Sequence, residues 1–150
     1  MTTIEMVKVY INQLCAQIGV SPDSVYNQEY KSWNFVKGEH NIEVFFTSYE
    51  TSVKTVRTFI RCFSVVYALP VDAQKQLDLY RVTIECNAKY MGVKLGVISG
   101  RPFLYAIAER DIEGMDYDEF ATLVGDHAFW AESLSAELRS KLGTPQTNLN

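Results

Sequence analysis

The sequence predicts an α+β domain: a five-stranded antiparallel sheet with three helices, in the order α-βββ-α-ββ-α. Three stretches space their apolar residues three and four positions apart, as a helix buried on one face requires. Between them lie runs rich in aromatic and β-branched residues, separated by short turns. Those turns are too short to hold crossover helices, so consecutive strands must run antiparallel.

The first helix is predicted over Thr3–Ile18, with Ile4, Val7, Ile11, Leu14, Cys15 and Ile18 on one face. Thr2 and Glu5 have capping-box spacing at its start, and Gly19 ends it. Ser21-Pro22-Asp23 opens a connecting loop. Strands are predicted over Trp33–Lys37, Ile42–Tyr49 and Val53–Tyr67, with turns at Gly38–Asn41 and Glu50–Ser52. Asp72 caps a second helix that runs to Gly92. Its stripe Ala73, Leu77, Tyr80, Ile84, Ala88 and Met91 has the spacing of a core face. Strands over Val93–Ile98 and Arg101–Arg110 flank a Ser99-Gly100 hairpin turn. Asp116 and Glu119 form a capping box, after which Phe120, Leu123, Val124, His127, Trp130, Leu134, Leu138 and Leu142 line the last helix. Residues 1–143 are expected to form one domain and residues 144–150 a disordered polar tail.

Composition narrows the function. An apolar fraction of 47% fits a globular chain, and 150 residues suffice for a core without disulfide or metal staples. The net charge is −4 and no basic run exists, which argues against nucleic acid. Cys15, Cys62 and Cys86 are isolated within apolar patterns and read as reduced, buried thiols of a cytoplasmic protein. Neither a leader pattern nor an apolar run long enough to span a membrane is visible.

No catalytic, metal or cofactor motif emerges. His40 falls in a predicted turn and His127 on an apolar helix face, with no nucleophile elbow to serve. Asp111, Glu113, Asp116, Asp118 and Glu119 cluster, but acids at a helix N-terminus cap N–H groups and oppose the helix dipole. Gly92, Gly96 and Gly100 surround a strand, which is the wrong place for a phosphate cradle; they read as a helix stop, a close backbone approach and a turn. The sequence therefore predicts no catalytic residue, no metal and no cofactor.

The informative feature is a surplus of apolar surface. Phe45, Tyr49, Phe59 and Phe63, with Val65, lie on the strand faces opposite those assigned to the core, and Arg57 and Arg61 interleave with them. Such a surface suits protein binding, where aromatics and Arg are enriched. Stacking of single-stranded nucleic acid and coverage by the protein's own helices are the competing readings. The second helix also carries a second stripe, Leu79, Val82, Cys86 and Tyr90. A homodimer interface is predicted there, with cover by the last helix as the alternative.

The segment from Ile84-Glu85-Cys86-Asn87 through the hairpin Val93–Ala106 to Met115-Asp116-Tyr117-Asp118-Glu119-Phe120 resembles the YbjN-type bacterial proteins of the type III secretion chaperone-like fold. The element order extends this resemblance over nearly the whole chain. The resemblance implies a compact antiparallel sheet with helices, often paired into a dimer. Chaperones of this fold hold an unfolded stretch of an effector against apolar grooves, and YbjN-type proteins are linked to regulation and stress. No catalytic residue carries over. The expectation is a non-catalytic chaperone-like or regulatory adaptor in the bacterial cytosol, probed through Phe45, Tyr49, Phe59 and Phe63. A small-molecule sensor or enzyme with a hidden pocket, and a structural subunit of a larger assembly, are the alternatives.

Overall fold

The computed structural model describes residues 1–145. Its elements are α1 (Ile4–Ile18), α2 (Pro22–Val25), β1 (Tyr26–Asn27), β2 (Ser32–Lys37), β3 (His40–Glu50), β4 (Val56–Ala68), α3 (Ala73–Lys89), β5 (Lys94–Val97), β6 (Phe103–Asp111) and α4 (Tyr117–Leu142). The sheet is antiparallel in the order β1-β2-β3-β4-β6-β5.

It thus has six strands, where five were expected, and the described residues hold four helices, where three were expected. The additions, α2 and β1, fall in the stretch read as a connecting loop. A one-turn helix and a two-residue strand are too short to carry a hydrophobic period. Strand β1 exists because Tyr26 and Asn27 pair with Trp33 and Ser32, and because the Tyr26 ring lies 4.9 Å from that of Trp33. The third predicted strand begins later than expected. Val53 belongs to the β3–β4 turn, which closes through the Thr51 N–H donating to the Thr55 carbonyl.

Most caps follow the sequence. Asp72 accepts the Lys75 N–H at the start of α3, and Asp116 and Glu119 make the reciprocal capping box of α4. The cap of α1 is Thr3 in place of Thr2. Thr2 is buried, and its hydroxyl donates to the Met115 carbonyl at 3.1 Å, tying the N-terminus to the entrance of α4. Helix α3 ends at Lys89, with Tyr90 as its C-cap, so Gly92 lies in the connection beyond the helix. Of the expected tail, residues 146–150 lie outside the described residues.

All long helices pack on one face of the sheet. Val44, Cys62 and Ala108 are cross-strand neighbours and meet Val7, Ile11 and Cys15 of α1 in one core with Phe120 and Val124 of α4. Two and four residues along β6, on the same pleat, Ala106 and Leu104 meet Leu79 and Cys86 of α3 and Leu134 and Leu138 of α4 in a second core. The molecule is therefore a two-layer sandwich of helices on a sheet.

The rotation of α3 corrects the sequence reading. Leu79 and Cys86 are fully buried within this chain, and Val82 and Tyr90 are half-buried against the same core. The stripe assigned to a dimer interface is internal. Its complement is the outward face: Leu77, Tyr80, Ile84 and Met91 are exposed, Ile84 at 69%. Asn87 sets this rotation. Its amide donates to the Leu95 carbonyl (3.0 Å) and accepts the Leu95 N–H (2.7 Å), which turns the Cys86 side of the helix onto the sheet. The same two bonds occupy backbone groups on the outer edge of β5, the last strand of the sheet.

Candidate protein-binding face

The pleat of β4 sends Ile60, Cys62 and Ser64 toward the helices and Arg57, Phe59, Arg61, Phe63 and Val65 away from them. Register then assembles the far face. Phe45 lies opposite Arg61, Tyr49 opposite Arg57, Ile107 opposite Phe63, and Tyr105 opposite Val65. Phe45, Tyr49, Phe59 and Phe63, the four residues selected from the sequence, therefore share one surface. Among the described residues, no helix packs on it.

The four are not equivalent. Phe63 is 6% exposed, because Phe45 (centroids 5.0 Å, edge-on) and Tyr105 (6.0 Å) close around it. With Ile107 and Phe103 they form a small third core on the helix-free side. Phe59 is half-buried beneath Tyr49, stacked at 5.7 Å, and Tyr49 is 49% exposed. The face thus has a packed floor and an accessible rim. Sequence reading missed Phe103, Tyr105 and Ile107 as members. Their period-two spacing on the fifth predicted strand carried the signal, but only the register with β4 shows which face they share.

The two β4 arginines on this face, Arg57 and Arg61, are engaged. Arg61 lies 4.7 Å from the Phe63 ring centroid and donates to Glu109, which Lys94 also contacts. Hydrogen bonding from Lys94, aided by Arg61, holds the Glu109 carboxyl below its usual range. Arg57 covers the Phe59 ring and pairs with Asp111. The Glu113 N–H, and then Arg57, hold the Asp111 carboxyl low. These pairings neutralise the cations that a nucleic-acid backbone would need, while their guanidinium planes remain as part of an aromatic surface. Two adjoining depressions, of about 430 and 380 Å³, mark the end of this face near Arg101.

The remaining polar candidates do not converge on chemistry. His127 is 1% exposed; its Nε2 meets the Ser64 Oγ at 2.9 Å, and its Nδ1 has no partner among the described residues. Burial, with His40 nearby, pushes its pKa down to about 4. Ser64 is itself 2% exposed beneath the sheet, so this pair offers no accessible nucleophile. Asp116 and Glu119 are occupied in the α4 cap and Asp111 with Arg57, as their capping and pairing chemistry requires. Burial raises all three thiols, that of Cys62 to about 12. Among the described residues, no group of His, Cys and carboxylates is placed to hold a metal. Among the described residues, no helix is long and apolar enough to cross a membrane.

This architecture is that of the type III secretion chaperone-like fold. No family model matches the chain, and no curated protein matches it by sequence. Solved structures do match. YbjN from E. coli aligns over 93% of this chain and 96% of its own, at 12% identity and a TM-score of 0.59. ExsC–ExsE, a complex, aligns over 89% and 97%, at 12% identity and a TM-score of 0.56. The Yersinia pestis type III secretion chaperone SycH, bound to a stable fragment of YscM2, aligns over 84% and 97%, at 11% identity and a TM-score of 0.51. The protein has a YbjN-like, chaperone-like fold, as the sequence resemblance implied.

Proposed function

We propose that this protein is a non-catalytic, chaperone-like binding domain of the bacterial cytosol that holds an extended segment of a client protein on its helix-free sheet face. The observation that carries this reading is the packed aromatic floor of Phe45, Phe63 and Tyr105, with the accessible Tyr49–Phe59 rim beside it. Buried aromatics with ion-paired arginines around them are the ordinary anatomy of a binding surface. Structural neighbours caught with protein partners support the same reading.

The sheet edges refine it. Asn87 occupies the Leu95 groups on the edge of β5, and β1 covers the start of β2. Pairing between β2 and β3 stops at Val44, so β3 from Phe45 to Glu50 presents a free edge beside Tyr49. A client strand can add there and lay alternate side chains across the rim. A second copy is the proposed cover for the outward stripe Leu77, Tyr80 and Ile84 of α3, and sedimentation tests it.

The experiment compares proteins captured from the native cell by the wild type and by Tyr49→Ala and Phe59→Ala. Clients of this face are expected to disappear with the variants while the circular dichroism spectrum is preserved. Identical captures by all three proteins would rule the face out.

A further inference from the structure

The two depressions near Arg101 share Glu43, Arg101, Phe103 and Tyr105, so they form one trough that starts on the helix-free face and, in its larger arm, reaches Ser135 and Arg139 of α4. One arm runs toward Tyr30 and Asn34 beside β2, the other toward Val65 and Ala68 at the end of β4. The second arm exists because β3 and β4 separate. Their pairing starts at Glu43 and Phe63, while β4 continues to Ala68 alongside β6 alone.

Arg101 stands at the middle of this trough. It follows Gly100, whose φ of +80° makes the β5–β6 turn, and its N–H donates to the Ile98 carbonyl. Its guanidinium lies 5.9 Å from the Tyr105 ring centroid. Arg57, Arg61 and Lys94, the other cations on this face, each have a carboxylate partner. Arg101 has none within ion-pair distance among the described residues. Glu43 shares the trough without reaching that distance.

We infer that Arg101 selects clients carrying an Asp or Glu two positions from an apolar residue; this rests on the client-binding reading above. A guanidinium offers a planar fork that binds a carboxylate through two parallel hydrogen bonds. Side chains two apart in an extended peptide point the same way, about 6.6–6.8 Å apart. A carboxylate on Arg101 therefore sets its apolar neighbour on the Phe103–Tyr105–Phe63 surface. A polyanion fits poorly: among the described residues of the helix-free face Arg101 is the one cation without a carboxylate partner, and the chain carries a net charge of −4, so a run of phosphates would not be neutralised.

The test is selection of random displayed peptides on the wild type and on Arg101→Glu, both checked for folding by circular dichroism. The wild type is expected to enrich peptides with an acid two residues from an aromatic or aliphatic side chain. Arg101→Glu is expected to enrich Lys or Arg at that position instead. The best wild-type peptide is then compared with the same peptide whose acid is replaced by its amide, a change that cannot unfold the protein. Binding should weaken roughly ten- to a hundred-fold on the wild type, and Arg101→Gln should bind both peptides alike. Enriched peptides indifferent to the acid overturn this inference and leave the client-binding reading standing. Failure to enrich any peptide overturns both.

Discussion

Removing the Phe63 ring tests whether the helix-free face is a preformed surface. Phe63 is 6% exposed and packed between Phe45, Tyr105 and the Arg61 guanidinium. Truncating a packed Phe to Ala costs about 3–5 kcal/mol. The lower end, about 3 kcal/mol, applies here, because the cavity opens at the sheet surface and solvent can refill it. Tyr49 is half exposed and stacks on one ring only, so Tyr49→Ala should cost about 1 kcal/mol. A domain of ordinary stability, about 5–15 kcal/mol, survives either change. In thermal unfolding, Phe63→Ala should lower the midpoint by about 6–12 °C and Tyr49→Ala by about 2–4 °C. Urea titration followed by Trp33 and Trp130 fluorescence gives the free energies directly. Equal losses for the two variants, or a Phe63 loss below about 1 kcal/mol, would mean that no packed floor exists. The aromatic residues would then be a loose fringe unable to hold a client in one register. The contrast also separates the proposed binding role from stability: Tyr49→Ala and Phe59→Ala are expected to act on client capture, and Phe63→Ala mainly on the platform.

Two further outcomes follow from the same packing. Burial lowers the His127 pKa to about 4 from an ordinary 6.5, so below pH 6.5 the unfolded chain binds a proton that the folded chain resists. Stability should be full above pH 6.5 and fall by about 3 kcal/mol as pH drops toward 4. His127→Gln should flatten that part of a urea-midpoint profile, and an unchanged profile would contradict the assignment. For α3, Ile84→Glu places a charge on the outward stripe and should convert a sedimenting dimer to monomer, removing the dependence of the unfolding midpoint on protein concentration. A wild type that sediments as monomer at all accessible concentrations removes the proposed second copy.

The sequence by itself determined the three long helices, the three-stranded meander, the final hairpin and the caps at Asp72 and Asp116. These depend on local period, turn chemistry and side chains that reach backbone groups a few residues away. It also placed Phe45, Tyr49, Phe59 and Phe63 on one surface, since strand alternation fixes which residues share a side. Only the tertiary structure decided how α3 is rotated. Both stripes of that helix are apolar enough to be core, and the choice lies with Asn87, whose partner is the backbone of Leu95, eight residues away on another element. The same holds for β1, which exists through its pairing with β2, and for the trough around Arg101, which appears where β3 and β4 part. Periodicity reports how a segment divides its own faces. What each face meets depends on register and docking between segments distant in the chain, and that information resides in the packed molecule.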